Sequence, residues 1–581
     1  MEISNTEIAG IFNQVAELLE LKAENPFKVR AYRKAADALI SLDRPVRDAL
    51  ADAGHGIPGI GDAIRAKIEE ILATGRLQYL DRLREEIPPA IFLLTEVPGI
   101  GPKAAWRLHD ALGIDDVESL LSMARAGRIR EVPGFGSKTE ANIIRSIELM
   151  RHAGERSPLY AAIPIADRIV DELGRVPGVT RVSAAGSLRR RRDTVGDVDI
   201  VAASEDPERV MDTFASLAIF REIPARGTTK STGITETGLS CDLRVVSPED
   251  YWTALHHLTG SKQHHVRLRG IAGRLGLKIN EYGVFREDTG EPVPIDSEED
   301  LYAALGMSYI PPELREDTGE IEASQEGRLP NLVARSSIKG DLHTHTKWSD
   351  GVGTVLEMAQ TAQRLGYEYI AVTDHSRALG IARGLDRDRL LAQVEEIRRL
   401  SRDLRGIRIL AGFEVDILKD GTLDMDDEVL EQLDIVVASI HSGFRQDRHS
   451  MTERILRAVH NPNVDILAHP TGRILGYRPG YEVDLDAVIK AAAETGTAME
   501  INSYPDRLDL SDANARAARD AGVTIVIDTD SHSPSELVNI EFGVWVARRA
   551  WLEPRDILNC LTYDDLMSRL ARKKRAAVVT S

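Results

Sequence analysis

The chain has 581 residues, which at about 100 to 200 residues per domain amounts to three to five domains. Its 43% hydrophobic, 28% charged and 5% aromatic content allows a sizeable core and excludes collagenous, low-complexity and wholly disordered classes. With 73 Lys and Arg against 92 Asp and Glu, the net charge of −19 gives no bulk signal for a nucleic-acid partner, so local charge must decide. Two cysteines, Cys241 and Cys560, are too few for a disulfide framework, and no apolar run reaches the roughly 18 residues of a membrane span. The first ten residues hold two glutamates and no basic residue, unlike a signal peptide, so no membrane association and a cytoplasmic location are expected.

From residue 1 to about 150 the apolar spacing is helical, as in Ile8, Ile11, Val15, Leu18 and Leu19. An internal repeat runs through it: Ile57-Pro-Gly59-Ile-Gly61, Val97-Pro-Gly99-Ile-Gly101 and Val132-Pro-Gly134-Phe-Gly136. Paired glycines let the backbone turn tightly and approach a ligand, and the following helix offers free N–H groups to a phosphate. One copy is equally an ordinary glycine turn. Three copies resemble helix-hairpin-helix DNA modules, which read the backbone and carry no base information.

Beyond residue 160 strand-like runs at 179–184, 197–203 and 241–246 alternate with helices, as in an α+β domain. Asp197 and Asp199 sit two apart on one strand and so project from one face, and Asp242 opens another. Such a set repels itself unless a cation relieves it, and oxygen-only ligands suit Mg2+. An isolated Asp-x-Asp is more often a solvated strand face. Residues 311–331, rich in Pro, Glu, Gly and Ser without an apolar period, read as a linker.

From Ile338 onward seven strand-like runs each end in candidate metal ligands: Asp341-Leu-His343-Thr-His345, Asp374-His375, Glu414, His441, His469, Glu500, and Asp530-Ser-His532. Helical segments at 355–364, 387–400 and 485–494 separate them. Strand-helix units with polar strand ends predict a distorted β/α barrel with its site on the C-terminal rim. Imidazole with carboxylate suits Zn2+, Mn2+ or Fe2+ better than Mg2+, and two or three ions are expected.

Gly186-Ser187 before four arginines, Gly196 abutting Asp197, and Thr259-Gly260-Ser261 together resemble the nucleotidyltransferase signature of family X DNA polymerases. The resemblance implies a Mg2+ or Mn2+ triad of Asp197, Asp199 and Asp242, with Asp242 the base for the primer hydroxyl. It implies nucleotide contacts from Ser187, Arg190, Gly196, Gly260, Ser261 and His265, an Arg244–Glu281 switching pair, and a template contact from Arg269. Arginine suits triphosphate because its planar fork binds oxygens bidentately. His257 and Leu258 stand where relatives carry two aromatics, so ribonucleotide exclusion is expected to be relaxed. Residues 57–77 resemble the lyase module of the family, with Lys67 at the Schiff-base position and Lys28 and Tyr32 at 5′-phosphate contacts. Ala63 replaces a further lysine common in the module.

The strand-end motifs of the last third resemble the PHP (polymerase and histidinol phosphatase) phosphoesterase family. All nine ligand positions of its trinuclear site are filled, by His343, His345, Asp350, His375, Glu414, His441, His469, Asp530 and His532. Ions so held activate water and neutralise a leaving oxyanion, and an active hydrolase is expected.

The expected organisation is multidomain: a lyase-like helical domain with a helix-hairpin-helix at 1–80, and a DNA-binding helical domain with two more at 81–155. A nucleotidyltransferase palm at 156–250 and a thumb-type nucleotide-selecting subdomain at 251–315 follow. A linker at 316–337 leads to a PHP distorted (β/α)7 barrel at 338–581. The implied function is short-gap DNA synthesis in repair with 3′→5′ exonuclease activity. The partners would be gapped or nicked DNA and deoxynucleoside triphosphates, with a monomer as default. Arg189–Arg192, Arg267, Arg269 and the hairpins would supply the positive surface. Two other readings are a phosphoesterase on small esters with a merely DNA-binding front half, and a non-catalytic DNA-end scaffold. A repulsive carboxylate triad disfavours both.

Overall fold

Runs such as Ile435–Ser439 are buried along their whole length in the computed structural model, the condition under which parallel strands form. The structure describes residues 5–580 except 23, 41–45, 52–59, 96, 98–99 and 155. Gly59 and Gly99 of the first two hairpins therefore lie outside the described residues. The chain divides into two compact units, Met1–Gly154 and Glu155–Ser581.

The first unit is helical around one apolar core, to which Ile8, Phe12, Leu19, Ile68, Leu94, Leu108 and Ile147 all belong. Gly61 and Gly101 stand as extended N-caps of the helices Asp62–Thr74 and Pro102–Leu112. No side chain occupies those caps, so the first N–H groups stay available.

The second unit begins with a five-stranded sheet in the order Val179–Ala184, Asp197–Ser204, Ser240–Val246, Lys230–Thr235, Phe220–Arg226. Its central pair, Asp197–Ser204 and Ser240–Val246, is parallel. Helices Tyr251–Thr259 and Lys262–Arg274 follow, then a three-stranded antiparallel sheet and helix Glu298–Ala304.

Residues 316–337 differ from the expected linker. They contain helix Glu320–Gln325, whose Ile321 and Ala323 join the apolar cluster of Leu268, Tyr302 and Leu314. Glu320 is fully buried against His264 Nδ1 at 2.7 Å. Pro, Gly and Ser content suggested freedom, but two apolar residues and one ionic anchor give the segment a packed place.

The last region is the expected seven-stranded parallel barrel, from Gly340–Asp341 to Ile525–Asp528 in sequence order. A parallel bridge between Thr344 and Ser531 closes the ring. Alternate residues divide between two cores: Tyr369 and Ala371 fill the lumen, while Ile370 and Val372 face the surrounding helices. Leu566 and Leu570 of the last helix, Tyr563–Thr580, join the lumen cluster. The expected helices are seen at Val355–Arg364, Arg387–Asp403 and Leu485–Thr495.

Candidate functional site

In the central sheet, strand alternation buries Val198, Ile200, Cys241 and Leu243 and leaves the acids on the opposite face. Asp199 pairs in register with Asp242, and Asp197 lies two residues before, opposite Ser240. Burial and the neighbouring charges of Asp197 and Asp242 push the Asp199 carboxyl up to about 7. Burial and carboxylate repulsion thus outweigh the nearby cations Lys230 and Arg190, and an all-oxygen set of this kind fits Mg2+ or Mn2+. Asp242 accepts from Thr232 Oγ1 at 2.6 Å and lies 3.0 Å from Lys230 Nζ. Neither partner was legible in the sequence, because both come from a cross-strand register.

Gly186 packs on this face with φ +61, where a Cβ would stand 2.1 Å from Asp199 Oδ2. The short helical turn Gly186–Arg189 carries Ser187 directly after Gly186. The four arginines after it do not form the expected free positive surface. Arg189 pairs with Glu298 at 2.6 Å and with Thr259 Oγ1 at 2.8 Å. Arg190 pairs with Glu316 at 2.8 Å and donates to the Thr259 carbonyl at 2.6 Å. Arg191 lies 4.2 Å from the Trp545 ring centre, and Arg192 lies 3.3 Å from Asp512. Carboxylates from three other segments converge on the run and take up its charge. Arg267 is likewise held by Asp317 and Glu322, whereas Arg269 is exposed.

Ser261 caps the helix Lys262–Arg274, accepting from the His264 N–H. His265 turns inward, its Nε2 2.7 Å from the His257 carbonyl, and burial and neighbouring His257 push its pKa down to about 3. Its ring stacks on His257 and fills the space beside Gly260. It therefore supports the Gly260 turn from behind.

In the first unit, Lys67 Nζ donates to the Ala63 carbonyl at 3.2 Å and stands 5.4 Å from the Tyr79 ring centre, with Lys28 Nζ 5.5 Å from the same ring. Tyr32 is buried and stacks on Tyr79. Gly134 has φ +90, which only a residue without a side chain adopts freely, and Gly136 precedes helix Ser137–Gly154.

All nine expected ligands converge at the barrel mouth. Eight of them form three overlapping groups of close ligand atoms: His345, Asp350, His375 and His532; His343, His345 and Asp530; and His375, Glu414 and His441. His343, His441 and His469 place Nε2 3.3–3.4 Å from one Glu414 oxygen, Oε1. Ligands about 2.1 Å from a tetrahedral ion stand roughly 3.4 Å apart. Both Glu414 oxygens, His343 Nε2 and both nitrogens of His345 and of His469 are buried without hydrogen-bond partners. Orphaned donors and acceptors at this density are costly unless divalent ions bind them, so the residues fit the expected metals. Although burial opposes it, His375, His441 and His343 hold Glu414 well below the usual carboxylate range. Two ligands, His469 and Asp530, have positive φ of 29° and 53°, strain that a functional site retains.

A supporting layer was only partly legible. Glu500 stands mid-strand in Ala498–Asn502 and sits behind the ligands, accepting at 2.7 Å from His343 Nδ1 and at 2.6 Å from the His469 N–H. Asp416 stands 3.2 Å from His441 Nδ1. Such partners fix the imidazole tautomer so that Nε2 faces the ion.

Matches to known families follow these divisions. A helix-hairpin-helix domain matches residues 3–77 and a SAM-like helix-hairpin-helix tandem 91–148. A DNA polymerase beta thumb matches 254–316 and a PHP domain 341–504. A "Probable phosphatase" of Thermoanaerobacter sp. (strain X514) is 32% identical over 231 residues, 38% of this chain and 89% of its own. A "Probable phosphatase" of Acetivibrio thermocellus is 36% identical over 207 residues, 34% of this chain and 80% of its own. Each covers less than two fifths of this chain. The DNA polymerase/3′-5′ exonuclease PolX of Bacillus subtilis (strain 168) is 40% identical over 568 residues, covering 97% of this chain and 99% of its own. With two constellations of candidate metal ligands on one chain and likeness along nearly its whole length, the protein belongs to the PolX family of DNA polymerase/3′-5′ exonucleases.

Proposed function

We propose that the protein fills short gaps in DNA by template-directed nucleotidyl transfer and removes 3′-terminal nucleotides at the barrel mouth. The observation that carries the first activity is the in-register pairing of Asp199 and Asp242 beside Asp197. Divalent ions on these acids would neutralise the triphosphate and lower the barrier to attack by the primer hydroxyl. Asp242 accepts the hydroxyl proton. Ser187 and the Gly186 turn seat the triphosphate, and Arg190 reaches it by exchanging Glu316 for phosphate. Exposed Arg269 meets the template strand, while the caps at Gly61, Gly101 and Gly136 hold backbone phosphates.

At the barrel, His343, His345, Asp350, His375, Glu414, His441, His469, Asp530 and His532 would hold two or three Mn2+, Zn2+ or Fe2+ ions, which supply charge for phosphodiester hydrolysis. Glu500 and Asp416 keep the imidazoles in the ligating tautomer. The orphaned Glu414 oxygens support an active centre over a scaffold.

Primer extension on one-nucleotide gapped DNA tests this reading. Asp242→Ala is expected to abolish synthesis and spare nucleotide removal, and His343→Ala to do the reverse. Wild-type protein that extends no primer would refute the polymerase reading. In the first unit, Lys28 and Lys67 around the Tyr79 ring form a cationic corner suited to a 5′-phosphate, and we assign Lys67 the lyase amine. Borohydride trapping to an incised abasic site checks it: undiminished trapping by Lys67→Ala removes the assignment.

A further inference from the structure

One arginine stands beside the ligands at the barrel mouth without being one of them. Arg507 follows the strand Ala498–Asn502, and its Nε stands 3.7 Å from Asp530 Oδ2, with the side chain 22% exposed. Among the described residues it is the only Lys or Arg paired with any of the nine ligands, and its guanidinium has no hydrogen-bond partner. Its backbone is fastened: its N–H donates to the Tyr504 carbonyl at 2.8 Å, and its carbonyl accepts from Arg473 Nε at 3.0 Å. A partly exposed fork on a fastened backbone, its donors without a hydrogen bond beside a candidate metal-ligating carboxylate, is placed for a phosphate oxygen.

Hydrogen bonds from the segments around Arg507 lead to two exposed tyrosines. Arg473 also pairs with Asp193 of the palm at 2.9 Å, and the Asp193 carbonyl accepts from the Leu159 N–H at 3.0 Å. Tyr160, next in the chain, is 40% exposed. On the barrel side, the Leu475 N–H donates to the Asp506 carbonyl at 2.6 Å, and the turn from Ile474 to Arg478 presents Tyr477, 64% exposed. Partial burial, with the fields of Asp506 and Tyr477, raises the Tyr160 phenol, which fits their nearness. Large rings left in solvent beside a basic fork are the composition of a single-strand track, where bases stack without regard to sequence.

We propose that Tyr160 of the palm, Tyr477 of the barrel and Arg507 form a subsite for the unpaired 3′ end of DNA, Arg507 binding the scissile phosphate and the tyrosines stacking the bases behind it. The palm thereby contributes to substrate capture by the other active centre. The inference rests on the exonuclease reading above.

The test uses full-length, manganese-loaded protein, a 5′-labelled single-stranded oligonucleotide, and the p-nitrophenyl ester of thymidine 5′-monophosphate, which has no strand behind the phosphate. Tyr160→Ala and Tyr477→Ala are expected to raise KM for the oligonucleotide severalfold, lowering its kcat/KM relative to the ester at least fivefold, with Phe at either position restoring the ratio. Arg507→Met is expected to lose at least tenfold on both substrates while keeping its bound manganese. Wild-type oligonucleotide kinetics in the tyrosine variants, or equal losses on both substrates, would overturn the track. Loss of manganese in Arg507→Met would overturn the phosphate contact. Failure of the wild-type protein to degrade any 3′ end would instead remove the exonuclease reading.

Discussion

A carboxylate's neighbours decide whether it is a ligand or a support. Glu414 and Glu500 both stand on buried barrel strands, yet the Glu414 oxygens face the ligand imidazoles without a hydrogen bond while Glu500 uses its own on His343 and His469. Glu500→Gln is expected to lower manganese affinity about 10- to 100-fold, because the amide still fits but no longer orients two ligands with charge. Equilibrium titration with elemental analysis checks this. Glu298 shows the opposite use of charge. Burial alone would raise its carboxyl, but Arg315 and Arg189 hold it at about 2, against an ordinary 4.5. A carboxyl depressed on folding contributes stability above about pH 4.5, and that contribution fades as pH falls towards 2. The shift is worth about 3 kcal/mol. The difference in Tm between wild type and Glu298→Gln should be widest above pH 5 and narrow on acidification.

Elements impose register, and register makes the sites. Parallel pairing of Asp197–Ser204 with Ser240–Val246 sets Asp199 against Asp242, and a slip of one residue would turn one acid into the core. The Gly186 turn depends on having no side chain, since a Cβ would stand 2.1 Å from Asp199 Oδ2 at a backbone angle of +61°. Gly186→Ala is therefore expected to cut primer-extension kcat/KM at least tenfold by displacing Asp199, with 3′ nucleotide removal at the barrel mouth within twofold of wild type. In the barrel, alternation sends one residue of each pair to the lumen and the other to the helices. Strand ends thus all deliver ligands to one rim.

Across the second unit, palm and barrel are joined by buried charge. Arg549, 2% exposed, pairs with Asp193 and lies 3.0 Å from Asp512, and it donates to the Arg191 carbonyl. Phe542 packs on both the palm and barrel cores. Removing one partner of such a buried set costs about 3–5 kcal/mol. Arg549→Met should lower the calorimetric Tm and separate one transition for the palm and barrel into two. The sequence alone marked which residues are candidate ligands and which turns are candidate hairpins, because chain-local patterns carry them: Asp-x-Asp alternation, His-x-His at a strand end, Pro-Gly-x-Gly before a helix. Tertiary structure alone decided what the charges between those motifs do. Arg189–Arg192 read as a DNA-facing run, and residues 316–337 as a linker, because the carboxylates and apolar partners that claim them lie up to hundreds of residues away. Long-range pairing of this kind leaves no local period, and it is settled only when folding brings the partners together.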